Sequence, residues 1–424
     1  MFQEIQQVED FLANRINLGI KPGLERMEKL LILLNQPQHN FNAIHIAGTN
    51  GKGSTLEFIK QGLQANNYQV GIFTSPSLTG LRGYILLGDR TISEHDFLTI
   101  WQKVYPAVVK LDNMNMHPTE FEILTAIAFV YFEQHTDLAL IETGMGGRED
   151  TTNCVQPLMS IITNIAKDHT AFLGDTIREI AYHKAGIIKS TIPVITGELI
   201  EDATKVVNKE AMLKQAPIYR LGHHFFYRSE STAYNHRINW WEKGGDTFQF
   251  WINMMGEHQK ANASIAAMAL QLLNRMEAGF NIDMNKVEEA FTHVMVMGRF
   301  EIVRKQPLTI VDGAHNSAGM EAFINTVEEN FSNCKRHLLF SAFKDKEIDK
   351  MLKQIENHFT TISLTTFDHP RAMQVSELRN YESDFHIELN WQEAIRQMEQ
   401  SHTVYFISGS LYFISLVRSF LKKQ

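Results

Sequence analysis

The chain has 424 residues, of which 44% are hydrophobic and 21% are charged, and its formal net charge is -8. This length and composition predict a globular protein with two separate cores, and they exclude a disordered or fibrous chain. The excess of acidic residues argues against nucleic acid as the main partner.

The cysteines and the first residues bear on the compartment in which the chain works. Cys154 and Cys334 lie far apart and show no metal-binding spacing, so we expect neither a disulfide framework nor a zinc site, and we expect a reducing, cytoplasmic setting. Residues 1–10 lack the basic and apolar regions of a signal peptide. The sequence contains no uninterrupted apolar run of about 18 residues, so we predict no membrane span.

A strand, a glycine-rich turn and a helix are predicted around residue 50. The strand covers residues 41–47 and the helix residues 56–65, and the turn contains Gly48, Thr49, Asn50, Gly51, Lys52, Gly53 and Ser54. Glycines let backbone N–H groups converge on phosphate oxygens, Lys52 would neutralise the phosphate charge, and Ser54 would ligate Mg²⁺ at the helix start. The turn therefore predicts a nucleoside triphosphate site.

This turn departs from the usual phosphate-loop spacing, G-x-x-x-x-G-K-[ST]. Ile46 stands six positions before Lys52, and Gly53 separates Lys52 from Ser54. A purely structural glycine turn is the alternative. The lysine and the strand, turn and helix setting favour the phosphate site.

Further strands are predicted over residues 69–74, 138–142, 159–165 and 193–196. Each leads into a polar loop and then a helical pattern, which is typical of a parallel α/β sheet. Ligands bind at the carboxyl ends of such strands, so the residues at those ends are the candidates for function.

Two strand ends carry residues suited to chemistry. Glu142 ends one strand before a turn of glycines, which favours a metal-binding acid over an ordinary solvated glutamate. Asp150 and Asn153 are expected to shape that turn. His169 follows the next strand and is a candidate ligand or acid-base group, with a structural histidine as the alternative.

The next segments are less specific. Residues 183–189 have the composition of a helix end with ordinary surface lysines. Residues 225–253 are rich in aromatic side chains around a turn at 243–246, which predicts an antiparallel excursion. A helix over residues 259–273 presents alanines suited to close packing.

The α/β pattern restarts after residue 297, with strands predicted over residues 308–311, 337–340, 360–364 and 404–407. The fold class is therefore α/β. We predict a phosphate-loop domain with a mostly parallel sheet over residues 1–297, followed by a smaller, doubly wound, Rossmann-like domain over residues 298–424. The cluster at residues 312–316 is expected to reach a nucleotide from the second domain.

Taken together, these motifs resemble the folylpolyglutamate synthase and dihydrofolate synthase family of the muramyl-ligase-like superfamily. The resemblance spans nearly the whole chain. Its carriers are residues 45–54, 74–76, 119–122, 142–153, 168–169, 184–189, 298–301, 312–316, 370–372 and 408–412.

The resemblance implies a ligase reaction. ATP phosphorylates a folate carboxylate, and the amino group of L-glutamate attacks the acyl phosphate to form an amide, ADP and phosphate. A carboxylate is a poor electrophile, so its oxygen must become a leaving group while cations absorb the charge of phosphoryl transfer. The implied substrates are ATP, L-glutamate and a reduced folate or dihydropteroate.

The resemblance also implies roles for particular residues. Lys52 and the loop amides would hold the phosphates, Ser75 and Glu142 one Mg²⁺, and Glu142 and His169 a second. Lys184 matches a carbamylated lysine, which makes chemical sense because an ammonium repels Mg²⁺ whereas a carbamate is anionic. A potassium ion is a further implied cofactor.

Asn262 matches an asparagine on the adenine side of the nucleotide, and Arg299, Asp312 and His315 match residues that bring the C-terminal domain to the nucleotide. The enzyme is expected to be a monomer. One departure concerns the loop at residues 77–84, where the family usually has a bulky residue or histidine and then a Glu-Arg pair. This loop lies near the folate in the family, so the acceptor is less defined than the ATP chemistry.

Two other functions fit parts of the pattern. A muramyl-type ligase would use the same phosphate loop with a nucleotide-linked sugar peptide as acceptor, but residues 119–122 and 150–153 favour folate. A non-catalytic nucleotide-binding relative would need none of the catalytic candidates Lys52, Glu142, His169 and Lys184, and the chain has them all.

Overall fold

The computed structural model describes residues 2–15, 18–19, 21–77, 79–231, 235–399 and 402–422. The chain divides into two compact units. The larger takes residues 1–229, 237–251 and 261–293, and the smaller takes residues 230–236, 252–260 and 294–424. The predicted domain limit at residue 297 stays a prediction.

The larger unit begins with alternating helices and strands. In chain order these are α1 (Ile5–Ala13), α2 (Glu25–Leu33), β1 (Ala43–Ala47), α3 (Lys52–Ala65), β2 (Val70–Phe73), β3 (Ile85–Leu87), β4 (Arg90–Thr91), α4 (Glu94–Asn113), α5 (Glu120–His135), β5 (Leu138–Glu142), β6 (Met159–Ile162), α6 (Thr170–Leu173), α7 (Ile177–Ala185), β7 (Val194–Thr196), α8 (Glu201–Leu213) and β8 (Ile218–Arg220). A short 3₁₀ helix, Thr151–Cys154, lies between β5 and β6.

Eight of these strands form one sheet in the order β4-β3-β2-β5-β1-β6-β7-β8. The strands from β2 to β8 in this order pair in parallel, and β3 and β4 extend the sheet by antiparallel pairing. Every residue of β1 and β5 is buried, as expected for strands covered by helices on both faces. Their carboxyl ends therefore share one edge of the sheet.

A smaller, separate sheet follows β8. The strands β9 (Phe225–Ser231), β10 (His236–Glu242) and β11 (Thr247–Ile252) form a three-stranded sheet in which consecutive strands are neighbours. The helices α9 (Glu257–Arg275) and α10 (Met284–Thr292) come next.

The smaller unit has its own sheet. Its elements are β12 (Glu301–Lys305), β13 (Leu308–Asp312), α11 (Ser317–Phe331), β14 (Lys335–Phe340), α12 (Ile348–Ile355), β15 (Thr361–Thr365), α13 (Val375–Leu378), β16 (His386–Glu388), α14 (Trp391–Arg396), β17 (Thr403–Ser408) and α15 (Leu411–Leu421). The strand order is β12-β13-β17-β14-β15-β16. Within the described part of this sheet, the edge strand β12 is the only one that pairs antiparallel, and the others pair in parallel.

The structure confirms the α/β class and the parallel sheets, and it moves some element ends. The helix after the phosphate loop begins at Lys52 rather than at residue 56. The strand predicted to reach residue 165 ends at Ile162. Thr163 and Asn164, just beyond Ile162, form hydrogen bonds with the phosphate loop.

Candidate active site

The phosphate loop joins β1 to α3 and depends on two glycines with positive φ. Gly48 has φ +154° and Gly51 has φ +83°. A Cβ on Gly48 would lie 1.9 Å from Thr163 Oγ1, and a Cβ on Gly51 would lie 2.5 Å from Asn262 Oδ1. Both the backbone conformation and the lack of space therefore require glycine at these positions.

Hydrogen bonds from the segment after β6 hold this loop. Thr49 N donates to Asn164 O (3.0 Å), and Asn50 N donates to Asn164 Oδ1 (2.8 Å). Thr163 Oγ1 donates to Asn50 O (2.6 Å). Thr163 and Asn164 are not among the site residues that the sequence motifs predict. Their place directly after a buried strand was the signal that could have found them.

A lysine and a carboxylate meet at the phosphate loop. Lys52 Nζ donates to Gly48 O (3.2 Å) and Thr49 O (3.4 Å), and it lies 3.9 Å from Glu142 Oε1. Glu142, the last residue of β5, is only 5% exposed, and its Oε2 accepts from Thr74 Oγ1 at 2.5 Å. The structure thus brings a cation, a buried carboxylate and the loop together.

The two candidate serines lie in different surroundings. Ser54 is the third residue of α3 and is buried. Gly53 precedes it, and beyond the neighbouring backbone of α3 no atom of the described residues lies within 4 Å of the position that a Cβ on Gly53 would take. Ser75 is partly exposed and follows Thr74, the residue bonded to Glu142. Ser75 therefore adjoins the carboxylate through its chain neighbour.

His169 lies on the loop after β6, immediately before α6. Its φ is +51°, its side chain is 38% exposed, and Nε2 lies 3.9 Å from Asp168 Oδ2. The backbone N of His169 donates to Asp168 Oδ1 (2.8 Å). The imidazole is accessible to a ligand and has an acidic neighbour.

The position of Lys184 differs from the one that the sequence composition predicts. Composition predicts surface lysines near the end of α7, but Lys184 is only 4% exposed and its Nζ donates to Gly48 O (2.8 Å). Lys189 is partly buried and donates to Asn153 O (2.7 Å). The surface interpretation is wrong for Lys184 because helix α7 turns this side chain inward against the phosphate loop.

Burial changes the chemistry of Lys184. Desolvation lowers its pKa to about 7, and the nearby Lys52 ammonium acts in the same direction. The carboxylates of Asp168 and Asp150 oppose this shift. A large fraction of the Lys184 amine is therefore neutral at neutral pH.

Two polar residues shape the glycine turn after Glu142, as the sequence predicts. Asp150 Oδ2 accepts from Met145 N (2.8 Å) inside the turn. Asn153 Nδ2 donates to Arg148 O (3.0 Å) and to Gly186 O (3.1 Å). The turn is thereby tied to the end of the helix that carries Lys184.

Asn262 lies on α9, and its side chain is close to the phosphate loop where the loop leads into α3. Its side chain is buried, and Oδ1 accepts from Thr55 Oγ1 (3.4 Å). The same Oδ1 occupies the space that a Cβ on Gly51 would need. Asn262 therefore adjoins the helical end of the loop.

The smaller unit carries the remaining candidates at the carboxyl end of β13. Asp312 is buried, with Oδ2 accepting from Phe300 N and Oδ1 from Ala314 N, both at 2.8 Å. Burial raises the pKa of Asp312, while the Arg299 guanidinium acts against that shift. His315 Nδ1 donates to the backbone oxygen of Gly313 at 2.7 Å, which fixes its ring. Arg299, Asp312 and His315 thus form a local group.

The described residues contain no group of three or more His, Cys, Asp or Glu side chains that could hold a metal ion. A divalent ion at Glu142 would need ligands of other kinds. Serine hydroxyls and phosphate oxygens are such ligands, and hard cations prefer oxygen. No helix among the described residues is long and apolar enough to cross a membrane.

Comparison with known proteins places this arrangement in a class. Residues 46–270 match the Mur ligase middle domain, and residues 298–411 match the Mur ligase glutamate ligase domain. The fold and the phosphate loop therefore define an ATP-dependent ligase of the Mur type.

The similar proteins narrow this class. A dihydrofolate synthase/folylpolyglutamate synthase of Bacillus subtilis (strain 168) is 35% identical over 446 residues, with 100% of both chains covered. A folylpolyglutamate synthase of Lacticaseibacillus casei is 30% identical, covering 93% of this chain and 94% of that one. The chain belongs to the folylpolyglutamate synthase/dihydrofolate synthase family, as its motifs predict, and is an amide-forming ligase.

Solved structures agree with this assignment. A folylpolyglutamate synthase of Mycobacterium tuberculosis complexed with ADP and AMPPCP superposes with a TM-score of 0.89 at 28% identity, covering 99% of this chain and 98% of that one. An FPGS–AMPPCP–folate complex gives a TM-score of 0.82 at 29% identity, covering 93% and 94%.

Proposed function

We propose that this ligase joins L-glutamate to a carboxylate of a folate, using ATP to form an acyl phosphate. The observation that carries the proposal is the convergence of Lys52, Glu142 and Lys184 on one phosphate loop. The similar structures with an ATP analogue and with folate support the same substrates.

In this proposal the phosphate loop binds the triphosphate of ATP. The backbone N–H groups of residues 48–54 surround the phosphates, and the Lys52 ammonium swings from the loop carbonyls to the phosphate oxygens. Asn262, on the adenine side, and Arg299, Asp312 and His315 are the further residues proposed to bind the nucleotide.

Two magnesium ions complete the proposed site. Ser75 and Glu142 would hold one, Glu142 and His169 the other, and Ser54 adds a hydroxyl at the start of α3. The buried carboxylate of Glu142 suits a hard cation because it needs a positive neighbour in place of water. Bound Mg²⁺ would offset the charge that develops during phosphoryl transfer.

Lys184 is proposed to act as a carbamate. Its neutral amine attacks CO₂, an N–C bond forms, and one proton is released, leaving an anionic carbamate. The pKa of about 7 supports this step because only the neutral amine is nucleophilic. The carbamate would replace a cation that repels Mg²⁺ with an anion that attracts it.

The acceptor is tested directly with the purified chain. ATP, Mg²⁺ and L-glutamate are supplied with tetrahydrofolate or with dihydropteroate, and glutamate incorporation and phosphate release are measured. A UDP-muramyl acceptor with amino acids is the control. We expect incorporation with at least one pterin acceptor. Turnover only with the muramyl acceptor, or ATP binding without turnover, would contradict the proposal.

We further propose a monomer that acts in the reducing cytoplasm with K⁺ as an additional ion. Cys154 and Cys334 are both free thiols, which supports the reducing compartment. Size-exclusion chromatography with light scattering tests the monomer. Replacing K⁺ by Na⁺ in the ligation assay tests the ion.

A further inference from the structure

His45 is a polar residue in the middle of β1, a strand of the larger unit in which every residue is buried. It is fully buried within β1, paired in register with Ile141 on one side and Ser160 on the other. Burial lowers the pKa of His45 to about 3, so its imidazole is neutral at physiological pH. A buried imidazole is costly unless its hydrogen-bonding groups are used.

The structure shows how one ring nitrogen is used. His45 Nε2 lies 2.9 Å from Thr152 Oγ1, and Thr152 Oγ1 lies 2.5 Å from Asp150 Oδ1. Asp150 also accepts from the backbone N of Thr152 (3.0 Å) and of Met145 (2.8 Å). In this pair the Thr152 hydroxyl is the donor and Asp150 Oδ1 the acceptor.

It follows that His45 donates to Thr152. The single hydroxyl proton of Thr152 is committed to Asp150, so Nε2 of His45 must carry the proton. Nδ1 then carries none, and it has no hydrogen-bond partner in the described part of the chain. The direction of the chain of hydrogen bonds is therefore fixed, from His45 through Thr152 to Asp150.

This chain of hydrogen bonds ends on the loops that hold the catalytic candidates. Asp150 fixes the turn that directly follows Glu142. Asn153, in the same 3₁₀ helix as Thr152, binds the end of helix α7 at Gly186 O. The neighbour of His45 on β6, Ser160, donates to Ile187 O (2.8 Å), which secures the same helix end a second time.

We infer that His45 is a positioning residue for the ligase reaction. Through Thr152 it holds Asp150, which fixes the turn after Glu142, and the adjacent Asn153, which binds the end of the helix that carries Lys184. The inference rests on the roles proposed for Glu142 and Lys184. β1 leads directly into the phosphate loop, so one strand carries both the loop and the residue that aligns its partners.

Four variants test the chain of hydrogen bonds. His45→Leu and Thr152→Val remove a hydrogen-bonding group at similar volume, whereas His45→Gln keeps a donor and Thr152→Ser keeps the hydroxyl. A displacement of about 1 Å caused by a mutation away from the reacting atoms can lower the rate by about 100-fold. We expect His45→Leu and Thr152→Val each to lower kcat by about 10- to 100-fold and to raise the Mg²⁺ concentration for half-maximal rate. The Gln and Ser variants should recover most of the loss.

The double variant His45→Leu/Thr152→Val makes the test sharper. If both residues act through one chain of hydrogen bonds, the double variant should be no slower than the slower single variant. If the two contributions were independent, the double variant would instead lower kcat by the product of the two single-variant factors. Multiplied effects would overturn the inference.

A matched control separates positioning from stability. Thr365 is fully buried and donates its hydroxyl to Glu388 O (2.6 Å) in the smaller unit. Thr365→Val should lower the thermal midpoint but leave kcat and the Mg²⁺ requirement unchanged. If His45→Leu behaves like Thr365→Val, His45 is merely structural and the inference fails. If His45→Leu does not fold, the comparison of Thr152→Val with Thr152→Ser tests the inference in its place.

A binding measurement keeps this inference apart from the proposed function. The Mg²⁺ dependence of ADP binding, measured by calorimetry, needs no turnover. Loss of Mg²⁺-dependent binding in Thr152→Val with recovery in Thr152→Ser would support the positioning role even if no pterin acceptor were used. Identical binding in all variants would overturn it.

Discussion

Lys184 is the residue whose chemistry the structure changes most. Its burial against Gly48 O brings the pKa to about 7, and the proposed carbamate depends on that neutral amine. We predict that Lys184→Ala lowers glutamate ligation by at least about 100-fold while far-UV circular dichroism stays unchanged. Added bicarbonate should not restore activity, because alanine has no amine to react with CO₂.

Lys184→Arg is the matched control for this prediction. Arginine keeps the positive charge but forms no carbamate under these conditions, so it should be as inactive as alanine. Near-normal ligation by Lys184→Arg would show that charge, not carbamate, is what the site requires. Near-normal ligation by Lys184→Ala would rule out any essential role.

The lowered pKa of Lys184 also predicts how stability depends on pH. Between about pH 7 and pH 10.5 the unfolded state keeps the proton that the folded state has released, so the free energy of unfolding rises with pH. Below pH 7 the cost of burying the ammonium is present in full. Relative to Lys184→Met, the wild type should gain about 1.4 kcal/mol per pH unit within this window.

Urea unfolding in CO₂-free buffer at pH 7, 8 and 9 checks this dependence. Removing CO₂ keeps the lysine uncarbamylated, so that only proton binding differs between the two proteins. Stability curves for wild type and Lys184→Met that run parallel with pH would contradict the lowered pKa.

The strand, turn and helix around residue 50 contain two glycines that differ in backbone conformation and in the space beside them. We therefore predict opposite effects of alanine at the two positions. Gly51 has φ +83° and would place a Cβ 2.5 Å from Asn262 Oδ1. Gly53 lies inside α3 with open space beside it. Gly51→Ala should lose about 1–2 kcal/mol of stability from backbone strain, whereas Gly53→Ala should gain about 0.5–1 kcal/mol.

Urea unfolding of both alanine variants measures the difference, and ADP binding reports on the loop itself. Asn262 must shift to admit the new Cβ in Gly51→Ala, so binding should weaken in that variant. Equal stability of the two variants would show that the turn adapts freely.

Element by element, the sequence predicts the buried strands well and the strand ends less well. The sequence pattern predicts both ends of β5 correctly, because a short apolar run bounded by polar residues permits few other strand limits. β6 ends three residues early because Thr163 and Asn164 bond to the phosphate loop, more than 100 residues away in the chain. Such long-range hydrogen bonds leave no periodic pattern.

The same limit explains which residues of the candidate site could be predicted from the sequence and which could not. Glu142 and His169 could be found because Glu142 ends one predicted strand and His169 follows the next, at the carboxyl ends where ligands bind in parallel sheets. The burial of Lys184 could not, since its neighbours on α7 include exposed polar residues and its own surroundings come from the phosphate loop. Only the resemblance to a family identified it.

At the scale of the whole molecule, the smaller unit has two apolar cores of its own. One contains Phe323, Leu338 and Phe406 among others, and a second contains Leu339, Trp391 and Phe413. These residues all lie between 294 and 424, a length near the usual domain size of about 100–150 residues. Met255 is the contribution from the earlier segment, and it is only partly buried against the first core.

We therefore predict that residues 294–424, expressed alone, fold cooperatively. Among the described residues, the six strands from β12 to β17 form this sheet by themselves, so the cut removes none of the strand pairings observed in it. Removal of Met255 should lower the thermal midpoint without abolishing the transition, because a half-buried contact contributes less than the cores themselves. Thermal unfolding followed by circular dichroism measures this, and a gradual transition would mean that residues 252–260 are an indispensable part of the domain.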